Sequence, residues 1–149
     1  MFSRSSGYAL LALTYLAAQP SGRLVGAKEI ATRLAIPMPF LWKILRKLSA
    51  RKLVRSFKGA RGGYELARPA RTIRISEVFA AGTDGDQLGR CVLGWDKCDD
   101  RDPCPLHSQW KDLRKEIDDR LQLTTLADLA QGLRPNRVKR ALALQGMGA

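Results

Sequence analysis

The chain has 149 residues, 45% of them hydrophobic, with a formal net charge of +12 and a sequence pI of about 10.3. That length suits one ordinary domain, or a small domain with an appendage, and the apolar fraction excludes wholesale disorder. The charge favours a polyanionic partner, an odd count of three cysteines excludes a secreted disulfide scaffold, and no apolar run reaches the ~18–20 residues of a bilayer helix.

The segment Gly7–Ala18 is apolar almost all round and predicts a helix buried at a domain centre, ended by Pro20–Ser21–Gly22. Arg4, Tyr8–Leu13 and Ala17–Ala18–Gln19 loosely mimic a signal peptide. A buried first helix is the better reading, because the following sequence needs one to pack against; the protein is expected to be cytoplasmic. Ala27, Ile30, Ala31 and Leu34 share one face of a second helix, Ala27–Leu34, and Ala35–Ile36–Pro37 makes a short turn. A third helix from Pro39 to Lys52 carries the stripe Leu41, Ile44, Leu45 and Leu48, with bases over the remainder. Two strand-like pieces follow, Leu53–Phe57 and Tyr64–Ala67, joined by the basic, glycine-rich loop 58–63. Helix, turn, helix, hairpin is the order of a winged helix-turn-helix.

Beyond it, a short helix is expected over Ser76–Ala81, and residues 82–104 read as a polar loop. Pro105 suits the first position of a new helix, along which Leu106, Trp110, Leu113, Ile117 and Leu121 form a stripe. Thr125 is placed to cap a final short helix, Leu126–Ala130. The tail from Gly132 holds Pro135, four bases and no acid, and reads as loosely ordered. The predicted class is therefore mainly α with a small β-hairpin. A winged domain spans residues 1–81, a cysteine-bearing loop 82–104, a long helix with a short final one 105–131, and a basic tail 132–149.

Charge divides along the same lines. Residues 1–80 hold fifteen Lys and Arg against three acids, whereas residues 81–149 hold eleven of each, so the whole excess lies in the first half. A recognition helix must present polar or basic groups to base edges while its opposite stripe holds it on the domain. The third helix meets that requirement. Pro39, Trp42 and Lys43 would face the groove floor, with Arg46, Lys47 and Arg51 nearer phosphates, and Lys58 and Arg61 of the wing on the backbone or in a minor groove. Against this stand a use of the winged fold for protein contacts, and Trp42 as simple packing.

Cys91, Cys98, Cys104 and His107 form a C-x6-C-x5-C-x2-H pattern that includes the chain's only histidine. Three thiolates and an imidazole are a complete set for a soft or borderline metal. With a helix beginning at Pro105, Cys104 would lie at its N-terminal edge, where the dipole favours thiolate. Structural zinc usually pairs ligands more closely, and only Cys104 and His107 do so here. A thiol redox switch is another reading. An iron–sulfur cluster tolerates the wide spacing and is preferred. A nucleophile–base pair of Cys104 and His107 lacks an orienting partner, so no enzyme is expected.

These pieces resemble the Rrf-type family of bacterial regulators, over roughly residues 7–130. The likeness rests on Gly7–Leu10, Phe40–Leu45, Gly59–Leu66, the cysteine segment with Cys104–His107 and Trp110, and Thr124–Leu129. The resemblance implies a homodimer held by Leu106–Leu121 on double-stranded DNA with a partly palindromic operator. It also implies a cluster held by the three cysteines and one more ligand. On that basis the chain is expected to be a repressor that senses redox state, iron–sulfur status or nitric oxide. In IscR-like members three cysteines and a histidine hold 2Fe–2S; in NsrR-like members an acid near the partner's N-terminus helps to hold 4Fe–4S. This chain has no acid before Glu29, which favours 2Fe–2S on Cys91, Cys98, Cys104 and His107. Two departures stand out. The first cysteine gap is six residues rather than five, and Pro39 and Trp42 replace the Ser and Glu that contact bases in IscR-like proteins, so the operator is this chain's own.

Overall fold

Ser3 starts the first helix. Its hydroxyl accepts the Ser6 N–H at 3.1 Å, and α1 runs Arg4–Ala17, a turn earlier than the apolar run alone predicts. This is a computed structural model, and it describes residues 3–82 and 89–132. Ala9, Ala12, Leu13 and Leu16 of α1 are buried, and the remaining elements gather round them. Small alanines let neighbouring backbones approach closely, so α1 serves as the axis of the domain.

Helix α2 (Ala27–Leu34) and helix α3 (Met38–Ala50) follow with a tight turn between them. Ala35 turns left-handed at φ 52°, and the Ile36 N–H returns to the Ala31 carbonyl at 3.0 Å. That turn drops Ile36 into the core and sets α3 across α2. Leu41, Ile44, Leu45 and Leu48 are all buried, as their spacing requires.

Strands β1 (Val54–Phe57) and β2 (Gly63–Leu66) pair antiparallel, with Val54 opposite Leu66 and Phe57 opposite Gly63. Gly59 sits at φ 100°, and a Cβ at Gly62 would lie 2.0 Å from the Phe57 carbonyl oxygen. The hairpin is also tied inward. Val25 and Tyr64 exchange backbone hydrogen bonds of 2.9 and 2.8 Å, a bridge that the sequence alone does not reveal.

A 3-10 turn at Ala70–Thr72 leads into α4 (Ile75–Gly82), then come α5 (His107–Leu123) and α6 (Leu126–Gly132). Glu77 accepts the Arg74 N–H at 2.9 Å and pairs with Arg68. Thr125 and Asp128 make a reciprocal cap at the start of α6, with the Thr125 N–H on the Asp128 carboxylate at 2.8 Å. The chain closes on itself here. The Ile75 N–H reaches the Thr124 carbonyl at 3.0 Å, and the Leu126 N–H reaches the Ile73 carbonyl at 2.9 Å. Leu126 is thereby fully buried in the core built by α1 to α4.

One expected boundary is corrected. The last long helix begins at His107, not Pro105, because the His107 N–H bonds to the Cys104 carbonyl at 2.9 Å, closing a turn ahead of the helix. The stripe predicted on it is also split in use. Trp110 is buried, while Leu106 and Leu113 are exposed and Ile117 and Leu121 half-buried. The expected loop at 83–88 and the basic tail from 133 lie outside the described residues.

Leu126→Ala is expected to cost about 3 kcal/mol, read by chemical denaturation, because a large apolar side chain is lost from a closed core. A second expectation concerns Glu77. Burial pushes its carboxyl up, but the Arg74 amide and the Arg68 guanidinium outweigh this and hold it below the usual value. A depressed carboxyl stabilises the fold above the unfolded pKa of about 4.3 and loses that contribution as the pH falls. Melting temperatures of Glu77→Gln should therefore fall less steeply with acidification than those of the unaltered chain.

Candidate functional site

Two surfaces carry the chemistry. On the first, Pro39, Trp42, Lys43 and Arg46 are exposed along α3, Lys47 is half-buried, and Arg51 is exposed just past its end. Positions 39, 43 and 46 recur at helical spacing opposite the buried stripe, and Trp42 flanks them one turn before Arg46. Lys58 and Arg61 are exposed at the tip of the wing. Phe40 leans back on the domain, its ring edge-on to Tyr8 with centroids 6.4 Å apart.

The electrostatics of this face follow from where the acids go. Glu29 pairs with Arg23 at 2.9 Å, Glu65 with Arg55 at 2.7 Å, and Glu77 with Arg68. The three acids of the first half are therefore occupied away from α3 and the wing tip. The exposed Lys43 and Arg46 of α3 and Lys58 and Arg61 at the tip lie apart from those three acids, and theirs is the field a phosphate backbone would meet.

The second surface is the cysteine loop folded over the start of α5. It brings the predicted donors into two pairs rather than one cluster. Cys98 Sγ lies 3.4 Å from His107 Nδ1, and the Cys91 and Cys104 thiols are hydrogen-bonded to each other. Cys91, Cys104 and His107 are buried and Cys98 is half-buried. The donors thus stand as two pairs. Among the described residues, no three Cys, His, Asp or Glu side chains are gathered closely enough to hold one metal ion.

The thiol chemistry differs from the expectation. Burial pushes Cys91 up, but the amides of Leu93, Trp95 and Gly94 and the Cys104 thiol bring it below the ordinary thiol value. Cys104 moves the other way. Burial and the neighbouring Cys91 and Cys98 raise it, despite the Leu106 amide. The helix-dipole argument for Cys104 therefore fails, because the helix starts further on and the nearest negative charge would be Cys91.

Two supporting residues were not singled out by sequence reasoning. Asp100 Oδ1 lies 2.8 Å from His107 Nε2, and Lys111 Nζ lies 2.9 Å from the same oxygen. Lys111 and His107 hold the Asp100 carboxyl below its usual value. A carboxylate on one ring nitrogen fixes the imidazole and turns the other toward the cysteines, as partners of ligating histidines do. The available signal was Lys111 one turn after His107; nothing marked Asp100 among its neighbouring aspartates. Trp110 adds a backbone tie, its Nε1 donating to the Arg90 carbonyl at 2.9 Å.

Comparison with known proteins completes the picture. The family model for Rrf2, an iron-dependent transcriptional regulator, matches residues 2–132. A candidate HTH-type transcriptional regulator of Aquifex aeolicus is 40% identical over 131 residues, covering 87% of this chain and 90% of that protein. The structure of IscR from T. potens superposes with a TM-score of 0.70 at 27% identity, over 89% of this chain and 87% of that one. CymR, the global cysteine regulator of B. subtilis, superposes with a TM-score of 0.76 at 22% identity, over 90% and 98%. The last likeness bears on fold alone, and it is that of a mainly helical chain with a two-strand hairpin.

Trp110→Phe is expected to lose about 2 kcal/mol of stability, measured by thermal unfolding, because the smaller ring leaves part of the buried indole's space unfilled and the hydrogen bond to Arg90 is lost.

Proposed function

We propose a function from one premise: the chain belongs to the Rrf2 family of transcriptional regulators. It is a DNA-binding regulator with a winged helix-turn-helix, and not an enzyme. Within that premise the reading is a cytoplasmic, homodimeric repressor with an iron–sulfur centre. Cys91, Cys98, Cys104 and His107 are its ligands. Pro39, Trp42 and Lys43 face the major-groove floor, Arg46 and Lys47 lie nearer phosphates, and Lys58 and Arg61 lie on the backbone or in a minor groove.

The observation that carries the cluster is the arrangement of donors in two pairs, Cys98 with His107 and Cys91 with Cys104. A two-iron cluster takes two protein ligands on each iron, whereas structural zinc needs four around one point. The donor set is chemically suited, and Asp100 supplies a fixed imidazole while Trp110, buried nearby on α5, ties its ring to the Arg90 backbone. When bound, such a cluster supplies a centre that redox change, iron starvation or nitric oxide can alter.

The chain's own residues convert that alteration into a change of shape. Asp100 and Lys111 hold His107, and Trp110 holds the backbone at Arg90, so the cysteine loop and the first turns of α5 move as a unit. The other end of α5 is pinned to the winged domain at residues 124–126. A second copy covering Leu113, Ile117 and Leu121 would have its recognition helix set by the direction of α5. A shift at the loop therefore changes the spacing of two recognition helices along a partly palindromic operator.

A second reading is favoured by the contact between Cys91 and Cys104, with Cys91 lowered and Cys104 raised. Such a pair, one sulfur closer to thiolate and the other a bonded neighbour, also suits a thiol switch without a cluster.

The test is a visible absorption spectrum with iron, sulfide and zinc analysis on protein purified without oxygen. Charge-transfer bands with iron and sulfide in step are expected, and His107→Ala should alter or abolish them. Colourless protein with stoichiometric zinc would end the cluster reading. Colourless, metal-free protein whose DNA affinity changes on thiol oxidation would replace it with the thiol switch.

A further inference from the structure

The least explained side chain on the DNA-facing surface is Trp42. It is 57% exposed on a helix whose opposite stripe is closed, and folding gives no reason for an indole there. Lys43 and Arg46 lie beside it on the exposed face, and Pro39 precedes it by one turn. An apolar ring set in a basic, convex helix face is suited to a surface that is negatively charged overall and locally apolar. The major groove of DNA has one such local feature, the C5-methyl of thymine.

We propose that Trp42, with Pro39 alongside it, reads a thymine in the operator's major groove through its C5-methyl group. The proposal rests on α3 being the recognition helix and names what that helix selects. The argument is one of polarity. Pro39 has no N–H to offer, and the indole has a single donor and no acceptor. Thymine offers a methyl for the ring face and an O4 acceptor for the indole N–H. Cytosine offers no methyl, and its N4 donor would be covered by a ring that cannot accept from it, leaving a buried polar group unpaired. Guanine and adenine offer acceptors but no methyl group. A contact of this kind therefore discriminates against cytosine twice, by what it loses and by what it buries. It also makes the operator differ from one read by Ser and Glu at the same places, because those side chains hydrogen-bond and this pair packs.

The basic neighbours supply the counterpart. Lys43 and Arg46 anchor the helix to phosphates or purine edges, so the ring is pressed into the groove without contributing charge itself. Phe40 is turned to Tyr8 and so stands apart from this contact.

The experiment begins with selection of duplexes from a random-sequence pool by the full-length protein. Affinities are then measured with single thymines replaced by deoxyuridine, which lacks only the methyl. One thymine whose replacement weakens binding about fourfold is expected, the value of a single buried methyl group. In Trp42→Ala that same replacement should have no effect, while Trp42→Phe should keep part of it. An unchanged melting temperature for both variants separates recognition from folding. If no deoxyuridine replacement weakens the unaltered protein, or if Trp42→Ala responds as fully, the thymine contact is overturned while α3 remains the recognition helix. If no duplex is enriched and binding has no salt dependence, the DNA-facing reading of α3 falls, and this proposal with it.

Discussion

Two backbone hydrogen bonds, Ile75 to Thr124 and Leu126 to Ile73, decide where everything after the winged domain goes. They bring the far end of a 17-residue helix back onto the strand-like segment that precedes α4, and they place Leu126 in the core. They pin the C-terminal end of α5, a helix that also packs against α4. With them, the C-terminal end of α5 joins the winged domain, and its N-terminal end carries the cysteine loop. In the function proposed above, α5 is what sets the distance between the cysteine loop and the recognition helix.

The loop at the other end of that helix is built mostly from polar contacts. Asp100, Lys111, His107 and the Trp110 indole hold it through hydrogen bonds, while Val92, Leu93 and Trp95 remain exposed. The exposed apolar side chains contribute little to holding the loop, so opening it is expected to cost less than opening the closed core. That inequality suits the sensing role proposed above: the loop is held by a handful of specific bonds, and the winged domain by closed apolar packing.

Much of this was legible in the sequence because periodicity and charge are local. The α3 stripe, the α2 boundaries, the hairpin and the Thr125–Asp128 cap all follow from residues within a few positions of one another. What was not legible depended on distant or competing contacts. Ser3 begins α1 because its hydroxyl happens to cap it, although the apolar run begins later. Pro105 is compatible with a helix start, but a Cys104–His107 turn occupies that place. Trp110 shares the spacing of a partner-facing stripe and is instead buried with the Arg90 backbone, so one period served two surfaces. The four donors were marked by residue type. Their grouping into two pairs, and the Asp100–Lys111 support behind His107, depend on how the loop folds over α5.

The bridge between Val25 and Tyr64 makes the wing a ruler. A hairpin joined to its domain only through β1 could swing to meet whatever contour it found. This one is clamped on its second strand by paired backbone bonds to the segment that leads into α2. Its tip therefore stands at a set offset from α3, and if the wing meets DNA as proposed, a bound duplex must supply its contacts at that offset. Curvature that the protein cannot provide has to come from the nucleic acid, so the ease with which a sequence bends enters its affinity even at base pairs that no side chain touches.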